Sequence, residues 1–100
     1  MKDRLLNLIS RVINLLTDCG WQDKAMWFDE IRTILECKST EAEKFQHNLD
    51  RLDKALAGMG SFSDIPLTSK NGKLSDQELR DIQWELVAEL GEVINKLRIS

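Results

Sequence analysis

From Leu5 onward the apolar residues Leu5, Leu8, Ile9, Val12, Ile13 and Leu16 step by three and four, which places them on one side of a helix with 3.6 residues per turn. Leu6 and Leu15 widen that stripe, as suits a helix held between neighbours. The same spacing returns three times: in Trp21, Ala25, Phe28, Ile31 and Leu35, with Trp27 and Ile34 to the side; in Phe45, Leu49, Leu52 and Leu56; and in Leu79, Ile82, Leu86, Leu90, Val93 and Leu97. A helix with one apolar side buries it only against another element, so four such helices must pack together. The expected fold is all-α, an antiparallel bundle of about four helices. One hundred residues make one domain, 1–100, able to bury about two-thirds of its unfolded surface around a single core. That core is expected from Leu5, Leu8, Ile9, Val12, Leu16, Phe28, Ile31, Leu35, Phe45, Leu49, Leu52, Leu56, Leu79, Ile82, Leu86, Leu90 and Val93.

Punctuation between the stripes fits this reading. Gly20 supplies a left-handed stop near Asp18 or Cys19. The second helix ends near Cys37, and Thr40 with Glu43 makes a capping box for the third, which Gly58 stops. Gly58, Gly60, Gly72 and Pro66 fall in one longer Gly/Ser/Pro-containing loop before the last helix. Asn71-Gly72 is a turn signal there, and Ile65 and Leu67 pair with Leu74 as a small extended ribbon. Ser75 with Glu78 forms a second capping box. Gly91, inside the last helix where glycine is unfavourable, is read as a close approach between helices.

Charge and cysteine exclude several classes. Fourteen Lys and Arg against 17 Asp and Glu give a net charge of −3, the wrong sign for affinity built on neutralising phosphates, so no direct nucleic-acid partner is expected. No apolar run approaches the roughly 20 residues of a membrane span. Polar residues from Asp3 to Asn14 break up any secretory signal, so the chain is read as cytoplasmic. Cys19 and Cys37 lack CxxC spacing and are read as reduced, buried thiols; with one histidine they complete no zinc set. No cofactor or metal is expected.

Catalytic signals are poor. Glu43, His47 and Asp50 share a helix face that would orient an imidazole or hold a weak metal site, but His47 lies about 200° round from Phe45, away from the core. It is read as a solvated histidine and the chain as no enzyme. Gly58-Met59-Gly60-Ser61 lacks the Gly-Lys-Ser/Thr ending of a phosphate loop and follows a helix. Trp84 sits opposite Ile82 on the side of Val87, Ala88 and Gly91, a second apolar face that either another helix of the domain or a partner must cover. Electrostatics give the sharpest feature. Asp76 to Glu92 holds six acids and one base, a net −5 that leaves the rest of the chain at +2. Glu78, Asp81, Glu85, Glu89 and Glu92 follow one line along the helix, with like-charge pairs four apart that are each unfavourable by a few tenths of a kcal/mol. Either bases of another helix neutralise that line, or it docks a basic protein, Glu85 at the centre and Asp81 and Glu89 beside it carrying most of the contact.

The run Gly58-Met59-Gly60-Ser61-Phe62-Ser63-Asp64-Ile65, after the leucine-striped helix and the Trp21, Trp27 and Phe28 helix, resembles a family of small bacterial proteins with a GGMGSxND signature. Ala57 stands where that signature has its first glycine and Ser63 where it has asparagine. Gly58, Met59, Gly60, Ser61 and Asp64 match, and the resemblance implies a structural turn there. The family is similar to immunity proteins of polymorphic-toxin and contact-dependent growth inhibition systems, cytosolic proteins that bind and block a toxin encoded beside them. The resemblance thus implies a cognate toxin domain as partner, a basic nuclease being the class that suits an acidic inhibitor. The inhibitor would be a monomer or weak homodimer. The alternative is a homo-oligomerisation or adaptor module pairing through Trp84, Val87 and Gly91; an enzyme using His47 ranks last.

Overall fold

The computed structural model describes residues 2–37, 41–56 and 75–98. They form α1 (Lys2–Asp18), α2 (Gln22–Glu36), α3 (Ala42–Leu56) and α4 (Asp76–Leu97), an all-α arrangement with no strand among the described residues. The Thr40 half of the first capping box, Gly58, the ribbon and the signature residues Gly58, Met59, Gly60, Ser61 and Asp64 lie outside them.

The reversal between α1 and α2 follows from one glycine. Gly20 has φ 85°, a conformation that a Cβ makes costly. It lets the Gly20 N–H donate to the Thr17 carbonyl at 3.1 Å and the Trp21 N–H to the Leu16 carbonyl at 2.8 Å. These are the two bonds of a Schellman turn, and they satisfy carbonyls that a helix end otherwise leaves without donors. At the start of α4 the Ser75 hydroxyl accepts from the Glu78 N–H at 3.2 Å and donates to the Glu78 carboxylate at the same distance. The Ser75 half of the expected capping box is therefore present, and the Glu78 carboxylate accepts a hydrogen bond from the Ser75 hydroxyl.

α1 packs on α2 and α4, and α3 packs on the same two, with no close backbone approach across either diagonal among the described residues. The helices thus form a ring in chain order. Gln46, near the start of α3, donates to the Leu97 carbonyl at the end of α4 at 3.2 Å, and Arg98 beyond α4 pairs with Asp50 and Asp53 of α3, as neighbours running in opposite directions require.

Leu5, Ile9, Val12, Leu16, Ile31, Leu35, Leu49, Leu52, Leu86, Leu90, Val93 and Ile94 are wholly buried. The stripes therefore meet in one core, which also takes in Leu15, Cys19 and Ala25. Phe45 and Ile82, expected inside, are only partly buried against it. Asn48 and Gln83 are buried polar residues. Asn48 donates to the Lys44 carbonyl at 2.8 Å and accepts from Arg51 at 3.2 Å, so its amide is not stranded. The Arg51 guanidinium also lies 5.5 Å from the Trp27 ring centre, a cation–π contact that ties α3 to α2.

Three expectations are corrected. A Cβ added at Gly91 meets nothing within 4 Å, so among the described residues this glycine marks no close approach between helices. Cys37 is exposed while Cys19 is buried, because Cys37 caps the end of α2 beyond the last core position, Leu35. Trp84 is 55% exposed, so no helix of the bundle covers it.

Candidate functional site

The acidic line runs along the flank of α4, roughly a third of a turn round from the stripe Leu79, Leu86, Leu90 and Val93. That flank faces α1, and α1 determines its electrostatics. An Arg11 guanidinium nitrogen lies 3.9 Å from a Glu89 carboxylate oxygen. Glu92 accepts from Lys96, one turn along α4, at 3.0 Å. The hydrogen bond and charge of Lys96, then the charge of Arg4, hold the Glu92 carboxyl below its ordinary range. Toward the C-terminal end of α4 the line is therefore met by bases, two of them on another helix.

The other half of the line differs. Glu78, Asp81 and Glu85 are exposed, and no Lys or Arg of the described residues forms an ion pair with any of them. Glu78 takes the Ser75 hydroxyl, and Asp81 accepts from the Gln77 amide at 2.9 Å. The antiparallel register that sets Arg11 beside Glu89 carries another acid, Asp18, to about the level of Ile82, since both chains rise 1.5 Å per residue. On this flank Asp18 therefore joins the exposed acids Glu78, Asp81 and Glu85, with Arg80 the exposed base in the same stretch of α4. Bases of the described residues thus meet one half of the line and not the other, and the division falls between Glu85 and Glu89.

Beside the uncompensated half stands Trp84. Ala88, one turn on, is exposed, and the space over Gly91 is open. These three positions follow a single line on the side of α4 opposite the core, with Asp81 and Glu85 along one edge.

Elsewhere the geometry offers little chemistry. His47 is exposed and, with Ala42, Glu43, Gln46 and Asp50, lines a shallow depression on α3. The Asp50 carboxylate is engaged by Arg98, so it does not orient the imidazole. In a second depression between α1 and α2, bordered by Asp3, Asn7, Arg32 and Glu36, the two terminal guanidinium nitrogens of Arg32 donate to Ser10 at 2.9 Å and Asp29 at 2.7 Å, while its buried Nε has no partner among the described residues. Among the described residues no group of three or more His, Cys, Asp or Glu side chains is placed to hold a metal ion. None of their helices is long and apolar enough to cross a membrane. The bases that meet the acidic line, Arg4 and Arg11, were not singled out by sequence, although their spacing of seven already puts them on one side of the first helix. No protein-family model, curated protein or solved structure matches the chain.

Proposed function

We propose that this chain is a non-catalytic binding protein of the immunity type, which blocks a basic toxin domain in the cytoplasm by docking on it with the flank of α4. The observation that carries the reading is the exposed row Glu78, Asp81 and Glu85, which meets no base among the described residues. A chain gains nothing for its own folding by lining up like charges four residues apart. It does gain rate and selectivity in meeting a partner of opposite sign. A nuclease, which must hold phosphate, carries such charge. Glu89 and Glu92 contribute less, because Arg11, Lys96 and Arg4 already draw on them. The contact thus shifts from the centre of the five-residue line toward its N-terminal end.

The test is a double reversal, Asp81→Lys with Glu85→Lys, which spares the Glu78 carboxylate at the cap of α4. It is assayed against the cognate toxin domain that the immunity reading requires. Association should slow and lose its salt dependence while the denaturant midpoint holds or rises, since no base is stranded. Unchanged association overturns the reading. The adaptor alternative draws on the exposed Trp84, and light scattering separates the two: a stable homo-oligomer without ligand favours the adaptor, a monomer the inhibitor.

A further inference from the structure

Charge accounts for attraction at this flank but not for the apolar side chain beside it. Trp84 leaves more than half of its surface in water, although an indole gains several kcal/mol from being covered. One and two turns further, Ala88 and Gly91 present almost no bulk, and the space above Gly91 is empty. A knob followed by a trough, running along two turns of helix, is the relief into which a second helix packs: small residues let the axes approach closely, and the indole inserts between side chains of the incoming turn. The edge of this strip is the row Glu78, Asp81 and Glu85, without a base among the described residues.

We infer that the outer face of α4, from Trp84 to Gly91, docks an amphipathic helix of a protein partner, whose apolar side covers Trp84 and whose lysines or arginines reach Asp81 and Glu85. The inference rests on the docking reading above and supplies its mode. Charge selects this occupant over a second copy of the chain. Self-pairing through this face sets the stretch from Asp76 to Glu92, with six acids and one base, against a copy of itself. A basic helix converts the same edge into attraction.

The test uses protein labelled with 5-fluorotryptophan, whose Trp21, Trp27 and Trp84 resonances are assigned by single Trp→Phe variants. The probes are three 21-residue peptides: a Leu/Ala helix with lysines along its flanks, a scrambled peptide of the same composition, and the helix with glutamates in place of lysines. The basic helix should shift the Trp84 resonance and leave those of Trp21 and Trp27 in place. Trp84→Ala, Gly91→Leu, and Asp81→Lys with Glu85→Lys should each weaken its binding by about tenfold or more, as loss of a central contact does. Denaturant midpoints must show these variants folded, and Trp84→Phe should retain part of the affinity. The proposal is overturned if the scrambled or glutamate peptide binds as well, if Trp84→Ala binds as tightly, or if the free protein is a dimer that Trp84→Ala dissociates. With the cognate toxin domain as ligand, Trp84→Ala that still binds while the charge reversal does not removes the helix mode and keeps the docking reading. Full binding by both removes the two together.

Discussion

Replacing Gly91 with alanine should make this protein more stable. Glycine in a helix interior is less favourable than alanine by about 1 kcal/mol, through the backbone freedom it surrenders on folding. Whether a protein recovers that energy depends on what the added methyl meets, and at Gly91 an ideal Cβ finds no atom within 4 Å. No steric term opposes the gain, and no new burial adds to it, so the expected stabilisation is about 0.5–1 kcal/mol. With an m-value of about 1–3 kcal/mol/M for a small domain in urea, the midpoint should rise by about 0.2–1 M at unchanged m. The melting temperature should rise by about 2–8 °C on the scaling for domains of this size. Gly91→Leu extends the test, because leucine has nearly the helix propensity of alanine but far greater bulk. On an open face both variants stabilise. If Gly91→Ala lowers the midpoint, or Leu does where Ala does not, something packs against this glycine and the outward orientation of the strip is wrong.

Three further outcomes follow from the core, a cap and an ion pair. Leu52→Ala, at a wholly buried position, should destabilise by about 2–5 kcal/mol, and an unchanged denaturant midpoint would contradict its place in the core. Ser75→Ala removes the hydroxyl that accepts from the Glu78 N–H and should lower stability by about 1 kcal/mol, with Ser75→Asp restoring most of it; equal midpoints for the two variants would refute the cap. For Glu92, Lys96 and then Arg4 depress the folded-state pKa. The stability this carries is present above the unfolded carboxylate range and lost as pH falls through the lower folded value. Lys96→Met should move the Glu92 carboxyl, followed by NMR titration, upward toward its ordinary value, and an unmoved titration would exclude Lys96 as the main cause.

The helices were legible because each carries its own instructions. Leu5 to Leu16 repeat at three and four, Gly20 sits where a left-handed residue is needed, and Ser75 stands three before Glu78. What the sequence left open depends on neighbours. Gly91 admits two explanations, close approach or an open face, and they differ only in whether another helix lies above it. Trp84 poses the same question, and the ring arrangement answers both: among the described residues each helix has two neighbours, and the side of α4 opposite the core has none. Phe45 fits its stripe but belongs to the first turn of α3, where the core thins and Lys2 lies 5.6 Å over its ring. Ile94 and Leu15 are buried because α4 and α1 are each flanked on two sides, which widens a stripe beyond strict spacing. Asn48 and Gln83 occupy stripe positions by number, three after Phe45 and four after Leu79, a signal that a search for apolar residues passes over. For the acidic line, sequence posed the alternatives but could not say which helix lies beside it; α1 with Arg4 and Arg11 does, and it reaches only half the line.

The ring also prescribes an order of assembly. α1 and α2 are joined by three residues under a Schellman turn and pack on each other more extensively than any other pair, so their contacts close a short loop at little entropic expense. α4 closes the ring against α1, where Arg11 meets Glu89, and that closure must bring together opposite ends of the described chain. Proteins form local pairs readily and distant ones slowly. On this account the α1–α2 hairpin belongs to the folding nucleus and α4 docks late. Losses in the hairpin core, at Leu16 for instance, then slow folding, whereas losses on α4, as at Leu86, chiefly hasten unfolding. A ligand gripping α4 would hold the element that leaves first. It would prolong the lifetime of the whole folded domain without touching the nucleus that built it.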